Sequence, residues 1–137
     1  MGNERRVGEG ASGFSWRRRI ASFGPARRGV ALVVRTQHNA WIHLTAAATV
    51  IVAGAWLDVT RSEWGLLILA MALVVSAEAF NTAVEALGDA VSPGRHALVG
   101  QAKDVAAGAV LLAAAGALAV GLLIFGPRLV RLWPGGR

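Results

Sequence analysis

The chain has 137 residues, of which 55% are hydrophobic, and it carries 14 Lys and Arg against 8 Asp and Glu, a net charge of +6. This length predicts a single domain, and the absence of cysteine excludes disulfides and thiolate metal sites. The apolar residues are concentrated in long runs, which predicts a membrane protein. Eight of the fourteen basic residues precede Ala40 and so flank the first run, which favours attraction to anionic lipid over nucleic-acid binding.

The N-terminal part of the chain divides into a tail and a basic segment. Residues 1–13 are rich in glycine and polar residues and are predicted to form a disordered tail. Residues of about 14–36 alternate arginines with apolar side chains, which predicts an amphipathic helix on the membrane surface. Gly24 and Pro25 within it predict a break or a bend.

Three apolar segments follow, and each predicts a transmembrane helix, at about 40–57, 64–90 and 103–125. Trp41 and Trp56 stand near the ends of the first, where interfacial tryptophans are typical. The last 21 residues of the third segment carry no charge, and at about 1.5 Å per residue they cover about 31 Å, enough to cross the hydrocarbon core.

The expected organisation is a membrane domain at 14–126 followed by a C-terminal tail at 127–137. Asp104, at the start of the third span, would suit a helix N-cap. The basic N-terminal region predicts a cytoplasmic N-terminus in the cell (inner) membrane, although the arginines near the C-terminus oppose this orientation.

Small residues recur every four positions along the third span, and this spacing allows close helix packing within one chain or between chains. They are Ala109, Ala113, Ala117 and Gly121.

The second span carries a polar stripe, quoted from Ser76 to Asp89 as SAEAFNTAVEALGD. At about 100° per residue, Asn81, Glu85 and Asp89 lie about −60°, −20° and +20° from Glu78, so that all four share one face. An ionised carboxylate at membrane depth costs several kcal/mol unless it is paired or neutralised.

Three interpretations of this stripe remain open from the residues alone. It can face a neighbouring helix and make hydrogen bonds only. It can be compensated by cationic side chains such as Arg95, His96 and Lys103. It can also hold a hard divalent cation through its oxygen atoms. No HExxH motif, Walker loop or glycine-rich dinucleotide fingerprint accompanies it.

The sequences AEAFNTAVEALGD, SPGRH and AKDVAAGAVLL together resemble the small prokaryotic diacylglycerol kinase and undecaprenol kinase family. The pattern E-x-x-N-[ST]-A-x-E followed by A-K-D is specific to that family. FGPARRG, which starts at Phe23, and TQHNAWIHL, which starts at Thr36, are similar to its surface helix and to its entry into the first span. The resemblance covers residues of about 14–125.

This resemblance implies an all-α, three-span membrane enzyme with an N-terminal amphipathic surface helix, which forms a homotrimer and uses Mg²⁺ and ATP. It implies that Glu78 is the general base that contacts the lipid hydroxyl, supported by Asn81, and that Glu85 and the residue at Gln37 are metal positions. The nucleotide site that it implies comprises Arg18, Asp89, Gly94, Arg95, His96, Lys103 and Asp104.

Two positions depart from the family pattern. Gln37 stands where the family usually has a metal-binding glutamate, and Gly94 stands where many members carry glutamate. A glutamine carbonyl can still ligate magnesium, but one negative charge is missing. We therefore expect an intact catalytic core with an altered metal site.

The sequence thus predicts an integral-membrane lipid kinase that phosphorylates diacylglycerol or undecaprenol. One alternative is a catalytically impaired relative that binds lipid or ATP without turnover. The other is a helical membrane protein whose polar stripe conducts ions or protons.

Overall fold

The computed structural model describes residues 16–132, apart from the side chains of residues 17–20 and 22. The described chain is entirely helical and consists of α1 (Trp16–Thr36), α2 (His38–Trp56), α3 (Arg61–Val91) and α4 (Ala97–Leu132). The predicted tail at 1–13 lies outside the described residues, as do residues 133–137.

Three of these helices, α2, α3 and α4, are long and apolar enough to cross a membrane. The predicted all-helical architecture with three membrane-spanning helices is therefore confirmed. The helices contain 19, 31 and 36 residues, and at about 1.5 Å per residue α4 is about 54 Å long and extends beyond the hydrocarbon core.

The ends of two helices differ from the sequence-based expectations. Helix α4 begins at Ala97, so Asp104 lies two turns inside it and the predicted N-cap role is wrong. At its other end α4 continues to Leu132, so the first residues of the predicted tail are helical. Helix α1 runs through Pro25, so the Gly24–Pro25 pair does not end it.

The turn between α2 and α3 is fixed by local chemistry. Asp58 adopts a positive φ of 49°, a conformation that a short polar side chain tolerates better than most. Thr60 then caps α3: its hydroxyl accepts from the backbone N–H of Glu63 at 3.4 Å, and its backbone N–H donates to the Glu63 carboxylate at 2.9 Å. This reciprocal capping box gives α3 a defined start.

Helices α3 and α4 pack against each other along their length, whereas α1 and α2 contact α3 more sparsely. A cluster of buried apolar residues, Val59, Leu67 and Ile124, lies close to the α2–α3 turn. Gly54 allows α2 to approach α3 there, because a Cβ atom at Gly54 would lie 2.7 Å from the Trp64 ring. This cluster lies toward the opposite end of α3 from the polar stripe.

The row of small residues on α4 is buried only at Ala113. Ala117 and Gly121 line an apolar groove of about 420 Å³ between α2, α3 and α4, and a Cβ atom at Gly121 would meet open space. Within one chain this row therefore lines a groove more than it packs against a helix.

Candidate active site

Glu78 is the most deeply buried polar residue of the described chain, with 2% of its surface exposed. Neither of its carboxylate oxygens has a hydrogen-bond partner among the described residues. Thr82 donates to the Glu78 backbone carbonyl at 2.9 Å, not to the carboxylate. A buried polar group without a partner is costly, and such a group in a native fold calls for a partner or a function.

The Glu78 carboxylate borders a small cavity of about 40 Å³ beneath α1 and the start of α2. Side chains from three helices enclose this cavity, and all except Glu78 and His43 are apolar. The lining residues are Val30, Val33, Val34, Ala40, His43, Leu44, Val75, Glu78 and Ala79. The larger apolar groove shares His43 and Val75 with this cavity, so the two spaces adjoin.

One to two turns further along α3, Glu85 is held by two amides. The Asn81 side-chain nitrogen donates to one Glu85 oxygen at 3.0 Å, and the Gln37 side-chain nitrogen donates to the other at 3.4 Å. Gln37 reaches Glu85 because it stands in extended conformation at the junction of α1 and α2. The structure therefore brings Gln37 next to Asn81 and Glu85, although Gln37 and Glu85 are 48 positions apart in sequence.

Asn81 is itself buried, at 7% exposure, and its amide oxygen has no hydrogen-bond partner among the described residues. That oxygen and the Glu85 carboxylate are the kind of donors that Mg²⁺ prefers. The described residues contain no group of three or more His, Asp or Glu side chains arranged to hold a metal ion. The residues present therefore fit a cation that takes a few protein oxygens and completes its shell with water or phosphate.

Asp89 and Lys103 form an ion pair of 2.5 Å between the last turn of α3 and the second turn of α4. The pair is accessible, since 74% of the Asp89 side chain and 32% of the Lys103 side chain are exposed. Gly88 makes it possible, because a Cβ atom there would lie 2.8 Å from the Lys103 side chain and 2.9 Å from Val99.

The remaining predicted nucleotide residues do not form a closed site among the described side chains. Gly94, Arg95, His96 and Asp104 are all exposed at the α3–α4 turn or on the first turns of α4. The Ser92 hydroxyl donates to the backbone carbonyl of Gly94 at 3.3 Å, and the backbone N–H of Gly100 donates to that of His96 at 2.9 Å. Arg18 belongs to α1, but its side chain lies outside the described part of the chain.

The sequence profile of the prokaryotic diacylglycerol kinases matches residues 24–125, about three quarters of the chain. The chain belongs to the prokaryotic diacylglycerol kinase family.

Individual relatives within this family carry two different names. The chain is 38% identical over 108 residues to the undecaprenol kinase of Bacillus subtilis, covering 79% of this chain and 88% of the relative. It is 40% identical over 114 residues to the diacylglycerol kinase of Synechocystis, covering 82% and 65%. The diacylglycerol kinase of Escherichia coli matches at 41% over 63 residues, which is 46% of this chain and 52% of the relative.

These relationships make the chain a lipid kinase of the diacylglycerol or undecaprenol kinase type and a multi-pass membrane protein. Relatives of both names match at nearly equal identity, so the identity values do not choose between the two lipids. The family match also removes the support for the ion-conducting alternative, because the matched residues include the polar stripe and the family is one of kinases.

Sequence reasoning missed one polar contact completely. Arg128 forms two hydrogen bonds with Glu63, of 2.9 and 2.8 Å, and also bonds the Leu57 carbonyl. The Thr60-x-x-Glu63 spacing is a capping-box signal that could have predicted the local contact. Nothing in the sequence indicated that a residue 65 positions away would join it.

Proposed function

We propose that this protein transfers the γ-phosphate of Mg-ATP to the hydroxyl group of a membrane lipid, diacylglycerol or undecaprenol. The observation that carries the proposal is the buried carboxylate of Glu78, which has no hydrogen-bond partner among the described residues and lies on the same helix as Glu85 and Asp89. Glu78 lines the small cavity that adjoins the apolar groove. A buried base next to an apolar surface suits a substrate whose reactive hydroxyl is attached to a hydrocarbon chain.

In the proposed reaction the lipid hydroxyl oxygen forms a bond to the γ-phosphorus of ATP. The bond between that phosphorus and the bridging oxygen of the β-phosphate breaks, and ADP leaves. Glu78 accepts the hydroxyl proton, which also gives its carboxylate the partner that it lacks in the free protein. General base catalysis of this kind contributes on the order of 10²–10⁴-fold to the rate.

Glu85 and Asn81 would hold the magnesium that accompanies ATP, and Gln37 lies beside them with its side-chain nitrogen bonded to Glu85. When bound, magnesium stabilises the negative charge that develops on the phosphate oxygens. Glu85 supplies the one carboxylate of this group, and the amide oxygen of Asn81, which has no partner among the described residues, lies beside it.

The nucleotide is assigned to the open end of the bundle around the Asp89–Lys103 pair. Lys103 can turn its ammonium group from Asp89 to a phosphate oxygen without moving the backbone, since the pair is accessible. The exposed residues Arg95 and His96 add positive charge nearby, where phosphoryl transfer needs it. The other residues assigned to this site are Arg18, Gly94 and Asp104.

The hydrocarbon chain of the lipid is assigned to the apolar groove between α2, α3 and α4. This groove adjoins the Glu78 cavity through His43 and Val75, so a chain lying in it would bring its hydroxyl end toward the base. Both lipids fit this description, and only an assay distinguishes them.

The orientation that we propose places the N-terminus and the nucleotide end in the cytoplasm at the cell (inner) membrane. ATP is available only on that side. Arg128, one of the arginines that opposed this orientation, is neutralised by Glu63 at the other end of the bundle. The eight basic residues that precede Ala40 outnumber the arginines near the C-terminus, and this excess supports the orientation.

We also propose that the protein forms a homotrimer through α3. Large apolar residues on this helix are exposed along one face, at positions 66, 69, 73, 80 and 87, which lie within about 60° of each other. Native mass spectrometry of protein released from detergent micelles should show a complex of three copies of the chain. A purified species that is active as a monomer would contradict this assembly.

The decisive test of function is a phosphorylation assay with γ-labelled ATP, with diacylglycerol and undecaprenol presented separately in mixed micelles. Label in one of the two lipids identifies the substrate, and Glu78→Gln supplies the control for label transferred without the base. Binding of nucleotide without phosphorylation of either lipid would instead support the catalytically impaired alternative.

A further inference from the structure

At the proposed metal site, Gln37 directs its side-chain nitrogen toward Glu85, and an amide nitrogen is not a metal ligand. Its side-chain nitrogen lies 3.4 Å from a Glu85 oxygen, and this assignment is forced, because a carboxylate oxygen accepts hydrogen bonds and would repel an amide oxygen. The Gln37 amide oxygen is therefore not the atom that faces Glu85. A cation bound at this carboxylate oxygen would first have to displace the amide.

Glu85 is satisfied without any cation. Asn81 donates to its other oxygen at 3.0 Å, so that two neutral amides occupy both oxygens of the carboxylate. The described residues place no further acidic group there to form a three-carboxylate or mixed metal cluster. Binding of a free divalent cation to Glu85 would break the two hydrogen bonds from the amides and strip part of the water that the cation holds tightly. In return the cation would gain contact with only one negatively charged side chain.

We infer that Gln37 makes metal binding depend on nucleotide: the free protein does not retain a divalent cation, and the cation enters only together with ATP. This inference rests on the proposed function, since it takes the Glu85 site to be the site of Mg-ATP. The phosphate oxygens of ATP supply the negative charge that Gln37 lacks. Gln37 acts here as a residue that sets metal affinity, and it does not touch the reacting atoms.

The direct test is equilibrium dialysis of the full-length protein in detergent against Mn²⁺, which replaces Mg²⁺ and is easily measured. The wild type should retain no Mn²⁺ without nucleotide and should retain it with a non-hydrolysable ATP analogue. Gln37→Glu should retain Mn²⁺ without nucleotide, with an affinity higher by about tenfold or more, because the number of charged ligands sets the affinity of oxygen sites. Equal retention by the wild type and Gln37→Glu without nucleotide would overturn the inference.

Two further variants separate a charge effect from a general effect of substitution. Gln101→Glu makes the same chemical change at an exposed position on α4 and should not retain Mn²⁺. The double variant Gln37→Glu, Glu85→Gln exchanges the amide and the carboxylate between the two positions, so that one carboxylate remains. Like the wild type, it should retain no Mn²⁺ without nucleotide. Retention by either variant without nucleotide would contradict the role assigned to Gln37.

Thermal unfolding gives a second readout that does not depend on activity. Without cation, Gln37→Glu places two carboxylates side by side and should unfold at a lower temperature than the wild type, and Mn²⁺ should restore most of the difference. Gln37→Asp, with a shorter side chain, serves as the second variant if Gln37→Glu does not fold, and it should show the same cation rescue. The absence of cation rescue in both would also overturn the inference.

The outcome for Gln37 is distinguishable from the outcome for the proposed function. Dialysis without nucleotide decides on Gln37 whether or not lipid is phosphorylated. If the wild type binds no ATP analogue and phosphorylates neither lipid, it is the Mg-ATP kinase proposal that fails.

Discussion

The Arg128 guanidinium donates two parallel hydrogen bonds, of 2.9 and 2.8 Å, to the Glu63 carboxylate. These bonds join the last turns of α4 to the first turn of α3. Arg128 also donates to the carbonyl of Leu57 in the α2–α3 turn, at 3.1 Å. One side chain therefore joins α4, α3 and the α2–α3 turn at the end of the bundle that contains this turn. The polar stripe lies toward the opposite end of α3.

Removing the charge from Glu63 should loosen this end of the bundle without removing the helix cap. Glu63→Gln can still accept from the Thr60 backbone, as a capping box allows glutamine at this position. It loses the charge that pairs with Arg128, so the apparent unfolding temperature in detergent should fall by a few degrees. Arg131→Met, at an exposed position on the same helix, is the matched control and should leave the temperature unchanged. An equal fall in both variants would show that the ion pair adds nothing.

Substitution of Glu78 should separate catalysis from stability. Glu78→Gln keeps the shape of the side chain but cannot accept a proton, so the phosphorylation rate should fall by on the order of 10²–10⁴-fold. Because the native carboxylate is buried without a partner among the described residues, the neutral amide should leave the unfolding temperature equal or higher. Ser76→Ala, at an exposed position half a turn away, is the control. A rate for Glu78→Gln that matches the wild type would remove the assignment of the base.

Lys103 can be followed chemically because it is the only lysine in the sequence. An amine-specific acylating reagent will modify this residue and the N-terminal amine, and mass spectrometry distinguishes the two sites. Mg-ATP should protect Lys103 by several-fold, because a phosphate-bound ammonium group is less available than one paired with the exposed Asp89. The N-terminal amine serves as the internal control. Equal modification of Lys103 with and without Mg-ATP would place the phosphates elsewhere.

Gly54 should not tolerate a side chain. In Gly54→Ala the new methyl group would lie 2.7 Å from the Trp64 ring, and such overpacking costs about 1–3 kcal/mol. The companion variant Gly54→Ala, Trp64→Leu, which removes the ring, should recover part of this loss of unfolding free energy. Gly116→Ala is the control, since a Cβ atom there meets nothing within 4 Å and alanine favours the helix. Unfolding temperatures in detergent compare the three variants, and no difference between Gly54→Ala and Gly116→Ala would contradict the contact.

The sequence by itself determined that the fold is a helical membrane fold and which residues form the polar stripe. Long apolar runs can cross a membrane only as helices or closed barrels, because backbone groups in lipid must bond to each other. A fixed rotation of about 100° per residue then places Glu78, Asn81 and Glu85 on one face of α3 without further information. The pattern of these residues also led to the kinase family, which the comparison with known proteins confirmed.

Only the tertiary structure decided what each of these residues contacts. Helical periodicity puts Glu78 and Glu85 on the same face, but it does not predict how their surroundings differ. Glu78 is buried beside α1 and α2 with no partner among the described residues, whereas Glu85 accepts hydrogen bonds from two amides. The bonds from Gln37 to Glu85 and from Arg128 to Glu63 join residues 48 and 65 positions apart. Such contacts depend on how separate helices pack, and packing is set by the whole set of side chains at an interface, which no local pattern contains.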